Sequence, residues 1–342
     1  MRISIIIPCH NEERSVAACV ASCLRQSRPP DQVLVINDGS TDRSAEILRE
    51  FGDRIDVVTI PVATGNKSHA QEQGLRYMTG DVFIATDGDT ILDEDFVRCI
   101  EQDFLERPEI VAVGGYVKSL KYNWITACRE LDYVIGQDLF KMAQASLGSM
   151  FVIPGCAGAF RADIFRRYIR FDHDTLTEDL DFTYKFHELY FPIHYDRRAV
   201  AYTQDPATIK QYVNQMRRWY SGGWQNLAKH IGVLSKPNNA LQLSMTYIEG
   251  FVFSILLFLF PLLNISVFLY FLIPYIIVVF SIGTYAAIVR RRPDLFFVAP
   301  GYLLLLYINA GVFLEQFWKE IVRRERNLVW FHPARREINP AI

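Results

Sequence analysis

Up to about Lys236, short apolar runs alternate with polar stretches of helical period. "ISIIIP" from Ile3 is a β-branched run closed by a proline and reads as a buried strand. "NEERSVAACVASCLRQS" follows with helical spacing, and "DQVLVINDGS" is a second strand running into a turn. "DRSAEILREF" reads as a helix, "RIDVVTIP" as a third strand and "KSHAQEQGLRYM" as another helix. "GDVFIATDGD" is a fourth β segment ending in carboxylates. Alternation of this kind predicts an α/β fold, a mostly parallel sheet covered on both faces. Ligands of such sheets bind at the carboxyl ends of the strands. The acidic turns "NDGS" and "DGD" lie at that edge.

The middle of the chain is less regular. "IVAVGGYV" reads as a strand and "WITACRELDYVIGQDLFKMAQA" as an amphipathic helix. "MFVIPGCAGAFRADIF" reads as a strand, a small-residue turn and a helix start. In "TLTEDLDFTYKFHELY", Thr177 is placed to cap a helix with Glu178 and Asp179 in its first turn. From Met245 to Phe317 the chain is overwhelmingly apolar, broken by "RRRPD" at 290–294. The runs 245–263, 266–289 and 296–314 each approach the ~20 residues that cross a bilayer. Two crossings make a hairpin with "RRRPD" inside. A third would export the basic segments "KEIVRRER" and "HPARRE", which belong on the cytoplasmic side, so the count stays open at two or three. The expected organisation is a catalytic-size domain over 1–232 that ends in an interfacial amphipathic helix. A membrane domain over 240–342 with a basic tail follows it.

Composition changes this picture in two respects. The net charge of −2 over 342 residues gives no sign of nucleic-acid binding. Six cysteines (Cys9, Cys19, Cys23, Cys99, Cys128 and Cys156) all precede the apolar tail and form no close CxxC pair. Scattered thiols suit a reducing compartment, and the apolar run in "MRISIIIPC" is too short for a signal peptide. The domain is therefore expected in the cytosol, anchored through its C-terminal part.

Candidate chemistry lies in five fragments. In "DGD", Asp87 and Asp89 directly follow an apolar strand; they are either an ordinary acidic turn or a pair of hard ligands for Mg²⁺ or Mn²⁺. Asp38 ends an earlier strand on the same edge, where it accepts hydrogen bonds from a base or sugar or simply makes an Asx turn. Lys67 in "TGNKSHA" is a cation able to reach a nucleotide, or a solvated lysine. In "TED", Glu178 and Asp179 offer a general base for an acceptor hydroxyl, or complement a helix dipole. In "YVNQMRRWYSGGWQNLAKHI", Gln215, Arg218 and Trp219 share a helical face with Tyr212 one turn earlier. Gly222 and Gly223 are natural helix terminators. Such a helix either lies at a membrane surface or presents an amide, a guanidinium and an aromatic plate to a site. Arg217 falls off that face, as a membrane-surface residue would.

Taken in order, the aspartate after strand two, "DGD", "TED" and "QMRRW" resemble the membrane-bound family 2 glycosyltransferases. That group includes the cellulose, chitin, hyaluronan and poly-N-acetylglucosamine synthases. "IIIPCHNEE", "GNKSHA", "GCAGAFR" and "LTEDLDFTYKF" also look like its blocks, so the resemblance covers residues 3–225 and then a compatible apolar tail. It implies a GT-A nucleotide-sugar-binding domain that transfers a sugar with inversion from a nucleotide-sugar donor, UDP-GlcNAc or UDP-Glc, to a glycan. It implies that Asp38, Lys67, Asp87, Gln215 and Arg218 hold the donor, and that Asp89 with Asp87 ligates Mg²⁺ or Mn²⁺. Asp179 would then be the base, with Glu178 and Trp219 at the acceptor.

Several positions depart from the family pattern. Blocks like "GKxxALN" correspond to "NKSHAQE" here, with Glu72 where an asparagine is common. "YFP" (190–192) stands where a glycine is frequent, and Gln204 in "TQDP" replaces an acid. The usual N-terminal membrane helices are not found before Ile3. So few crossings point to a homo-oligomer or to an enzyme that does not export its product. A single-sugar transfer to a lipid acceptor is the competing expectation, and a non-catalytic nucleotide-sugar-binding scaffold in the bilayer is a third.

Overall fold

The computed structural model describes residues 1–326, 328 and 335–338. The chain forms two compact units. One contains Met1–Lys118, Ala145–Gln204 and the tail residues 335–338, and the other contains Ser119–Gln144 and the residues from Asp205 onward. Part of "HPARRE", His332 to Ala334, lies outside the described residues.

The first unit is built on one sheet. Its strands are β1 (Ile3–Cys9), β2 (Gln32–Asp38), β3 (Asp56–Ile60), β4 (Val82–Ala85), β5 (Thr90–Leu92), β6 (Ala112–Ser119), β7 (Gly158–Arg161) and β8 (Ile193–Thr203). Their order is β3-β2-β1-β4-β7-β6-β8-β5. β1 to β4 are mutually parallel, with Ile5 opposite Val33 and Ile84. Buried on both faces, β4 reads as an unbroken apolar run and β1 as one interrupted only by Ser4. β7 pairs antiparallel with β4 and β6, and β5 pairs antiparallel with β8. The middle of the chain thus folds differently from its sequence reading. The expected strand "MFVI" is irregular, and the strand lies after the small-residue turn, at Gly158–Arg161. Pairing with β4 decides this, since Ala159 and Phe160 complete the row opposite Ile84 and Phe83.

Two helices of this unit position the chemistry. Lys67–Tyr77 starts where the Asn66 side chain accepts the Ser68 N–H at 2.9 Å. It packs so closely on the sheet that a Cβ at Gly74 would lie 2.6 Å from Ile6 Cγ2. Glu178–Glu188 is held by Phe182 and Phe186, one turn apart, which pack against Phe160 of β7 with ring centroids 5.0 and 6.0 Å away. Thr177 occupies the N-cap position, but its side chain makes no cap bond. Asp179 Oδ1 accepts the Leu180 N–H at 2.9 Å and so serves the first turn in its place.

Where helix Phe96–Glu106 crosses β8, the Asp103 and Asp196 carboxyls face each other beside Arg198, with Arg198 donating to Asp103 at 3.2 Å. His194 accepts from Arg107 close by. Burial, then repulsion from Asp196, raises the Asp103 carboxyl to about 7, whereas Asp196 is lowered because the Arg198 hydrogen bonds outweigh its burial. The folded chain therefore keeps a proton on Asp103 at pH values where the unfolded chain has lost it. Its contribution to stability is full below pH ~4 and is lost as pH rises through about 7. Asp196 acts oppositely, but only below pH ~4. Between pH 5 and 8, thermal denaturation of Asp103→Asn should show a smaller fall in melting temperature than wild type. The amide supplies without titration the hydrogen that the carboxyl must keep. Parallel curves for the two proteins would mean that Asp103 does not carry the shared proton.

In the second unit, helix Ile209–Lys229 packs on Ala299–Phe317, and Tyr212 donates to Asn309 Oδ1 at 2.8 Å. Tyr212 and Met216 share a buried cluster with Leu305 and Val312. The helix does not stop at Gly222 and Gly223, as their residue type suggests, but runs seven residues further from Gly222 to Lys229. A Cβ at Gly223 would come within 3.0 Å of the Tyr247 hydroxyl, so glycine serves close packing there and does not end the helix. Arg217 points outward and pairs with Glu315 at 3.0 Å. Pro237–Leu263 and Ile265–Val289 are long and apolar enough to cross a bilayer. Only 17% and 11% of their most apolar windows are buried, so they are not core helices of this fold.

Candidate active site

Lys67 opens its helix, where the positive dipole end disfavours a cation. Acidic partners from elsewhere compensate. Its Nζ lies 2.5 Å from Asp87 Oδ1 and 3.1 Å from Glu178 Oε1, and donates to the Gly155 carbonyl at 3.5 Å. Burial works against the charged ammonium, but Asp87 and then Glu178 outweigh it and raise its pKa. Asp179 adjoins this pair, with its Oδ2 accepting the Gly155 N–H at 3.4 Å. The "TED" acids thus meet "DGD" across the ammonium of Lys67, with Gly155 of the "PGCAG" turn between them.

Asp89 is buried on the far side of the same turn. The Arg335 guanidinium approaches Asp89 Oδ2 at 2.5 Å and donates to both Glu12 oxygens at 2.9 Å. Arg336 fixes this tail segment through two hydrogen bonds with Gln204, at 2.8 and 3.0 Å. Burial drives the Asp89 carboxyl up to about 7 against the pull of Arg335, and Glu12 and Asp87 add repulsion. Glu12, Asp87, Asp89, Glu178 and Asp179 are together answered by Lys67 and Arg335. Surplus negative charge on hard oxygen donors fits a divalent cation of the Mg²⁺ or Mn²⁺ type.

The other expected residues stand as follows. Asp38 ends β2 at the same edge of the sheet, and both its oxygens accept from Thr64, at 2.9 Å from the N–H and 2.7 Å from the hydroxyl. It holds the loop between β3 and helix Lys67–Tyr77, so its side chain is committed across the chain and not to an Asx turn. Gln215, Arg218 and Trp219 belong to the second unit. There Trp219 lies under the buried Arg129 guanidinium, 4.8 Å from ring centroid to carbon, and Arg129 pairs with Asp132 and Asp205. Gln215 Oε1 is buried without a hydrogen-bond partner among the described residues.

Glu12, Gly155 and Arg335 were not singled out from the sequence. Glu12 and Gly155 sit inside the quoted blocks "IIIPCHNEE" and "GCAGAFR". Arg335 reads only as part of a basic segment, and nothing local marks it as a partner of residues 246 or more positions away. Arg335→Ala should lower the melting temperature in chelator-containing buffer. It should also gain more on addition of Mn²⁺ than wild type does, because the ion then offsets the lost guanidinium charge. An equal gain in both proteins would mean that Arg335 and the cation do not share Asp89.

The sequence profile described as "Glycosyltransferase like family 2" matches residues 1–222. The chain belongs to this glycosyltransferase family. Among the relatives of this transferase, a poly-beta-1,6-N-acetyl-D-glucosamine synthase of Staphylococcus epidermidis is 29% identical over 230 residues. That match covers 66% of this chain and 56% of the relative. The synthase of Staphylococcus aureus strain COL is 24% identical over 229 residues, with the same coverage. The chain spans about half the length of the curated relatives it matches. Two solved structures share the fold. The mannosyltransferase PcManGT from Pyrobaculum calidifontis, in complex with GDP-Man and Mn²⁺, superposes with a TM-score of 0.65 at 17% identity, over 95% of this chain and 88% of that one. S. aureus TarS 1–349 gives 0.51 at 15% identity, over 95% and 92%. The fold is thus of the GT-A type.

Proposed function

We propose that this glycosyltransferase moves a sugar with inversion from UDP-GlcNAc or UDP-Glc to a growing glycan at the cytoplasmic membrane face. The observation that carries the reading is the Lys67 ammonium held between Asp87 and Glu178, with Asp179 alongside on Gly155. On this reading the transferase part covers 1–232 and the membrane part 240–342. Asp38, Lys67 and Asp87 take the donor, together with Gln215 and Arg218, whose role rests on the "QMRRW" motif. Asp89, with Asp87, would hold Mg²⁺ or Mn²⁺. That ion, when bound, neutralises charge on the donor diphosphate.

Asp179 accepts the proton of the acceptor hydroxyl as that oxygen attacks the anomeric carbon, and the nucleoside diphosphate leaves from the opposite face. A single base suffices for single displacement. Glu178 steadies the Lys67 charge next to the acceptor, and Trp219 offers a sugar ring an aromatic face. The names of the staphylococcal relatives support a β-linked N-acetylglucosamine polymer as the first product to look for.

Purified full chain in nanodiscs, given labelled UDP-sugars, Mn²⁺ or Mg²⁺ and short glycans, should release UDP and yield a ladder of products on chromatography. One discrete lipid-linked product would replace the polymer reading with single-sugar transfer. Binding without UDP release would leave a nucleotide-sugar-binding scaffold.

A further inference from the structure

Apart from the acidic turn, two imidazoles and a carboxylate meet at the flank of the Lys67 helix. His69 and Glu72 lie three residues apart on helix Lys67–Tyr77, and so on one face. His173 comes from the irregular segment that leads into Thr177. The His69 and His173 rings stack with centroids 3.5 Å apart and planes inclined by 18°. His173 Nε2 is 3.3 Å from Glu72 Oε2. One ligand atom from each residue lies within 4.8 Å of the others. His173 Nδ1 is buried with no hydrogen-bond partner among the described residues, and all three side chains are half-buried. Nothing in the sugar-transfer reading uses these groups. Glu72 is one of the positions at which this chain departs from the family pattern it otherwise resembles.

We propose that His69, Glu72 and His173 form a site for a borderline divalent cation, Zn²⁺ foremost, separate from the oxygen-only cluster around Asp89. Two imidazole nitrogens and one carboxylate oxygen are a zinc donor set, with water completing four-coordination. Nitrogen donors select Zn²⁺ over Mg²⁺, which takes oxygen. Tetrahedral ligands at about 2.0–2.1 Å from zinc stand about 3.3 Å apart. The present spread, within 4.8 Å, therefore has to contract on binding, and the stacked rings have to turn until their lone pairs converge. Two neighbouring anions are already paired. Asp172 and Asp181 are taken by Lys185, at 2.9 and 2.6 Å.

The place of the site gives it a consequence. His69 follows Lys67 by two residues, and His173 precedes Glu178 by five. A bound ion ties together the two segments that supply the Lys67–Glu178 pair, and so orders the entry to the helix that carries Asp179.

The test is Zn²⁺ binding to the full-length protein under saturating Mg²⁺, which occupies oxygen-only sites, read by competition with a chromophoric chelator. One equivalent is expected in wild type, and binding roughly a hundredfold weaker or worse in His69→Gln and in His173→Ala, since even outer-shell changes cost about ten- to a hundredfold. His173→Cys guards against a merely structural loss. It should keep the site and, with Co²⁺, add a thiolate-to-metal charge-transfer band to four-coordinate d–d absorption. Absence of a stoichiometric Zn²⁺ equivalent in wild type, or equal affinity in wild type and His69→Gln, would overturn the proposal. The three residues would then be a stacked imidazole–carboxylate bridge.

Discussion

Asp179→Asn should lower turnover by about a hundred- to ten-thousandfold, the range that a positioned general base contributes, while UDP binds within about threefold of wild type. Asparagine retains an oxygen for the Leu180 N–H that Asp179 Oδ1 now accepts at 2.9 Å. The first turn of helix Glu178–Glu188 therefore stays capped, and Phe182 and Phe186 still anchor it on Phe160. The amide nitrogen gives up the long 3.4 Å contact from the Gly155 N–H and one negative charge beside Lys67, so the chief loss to the reaction is the capacity to take a proton. Steady-state UDP release measures turnover and calorimetry with UDP measures the binding arm. If both fall together, Asp179 is part of the donor cradle and the base lies elsewhere.

Lys67→Met should damage the fold as well as the reaction. Breaking a buried ion pair from one side costs about 3–5 kcal/mol, because the remaining charges are left uncompensated. Here two carboxylates, Asp87 and Glu178, lose the same ammonium. The low end of that range is expected, since Asp87 keeps some water contact. Lys67→Met/Glu178→Gln should recover part of the loss, as the second change removes one stranded charge. Denaturant melts of the four proteins close a double-mutant cycle. Additive losses would show that Lys67 and Glu178 are not coupled and would remove the observation on which the sugar-transfer reading rests. Donor affinity in the double variant should remain weak, because a carboxamide restores stability without restoring a cation for the diphosphate.

Much of the first unit is legible along the chain. Strands β1 to β4 are buried on both faces or end in turns, and each announces itself by composition. Asp38 ends β2 and Asp87 lies two residues past β4, so parallel pairing alone brings them to one edge. The helix over Glu178–Glu188 is legible from its acidic first turn and from the i, i+4 spacing of Phe182 and Phe186. β8 carries no comparable signal. Its exposed Arg197 and its charged Asp196 and Arg198 hide a strand whose inner face holds Tyr195, Ala199 and Ala201. The run after Met150 misleads because an apolar tetrapeptide satisfies either a strand or a packed loop. Gly222 and Gly223 mislead because glycine serves both helix ends and close contacts.

By itself the sequence determined strands β1 to β4 and β6, that carboxylates lie at the ends of β2 and β4, and that the tail is apolar enough for a bilayer. These depend on periodicity and on neighbours a few residues apart. Tertiary structure alone decided that Lys67 bridges Asp87 and Glu178, that Arg335 lies on Asp89 and Glu12, and that His173 stacks on His69. Each of these contacts joins charges or rings that the chain separates widely. Burial makes them strong by removing water, and burial at a given point is a property of the folded topology that local pattern does not encode.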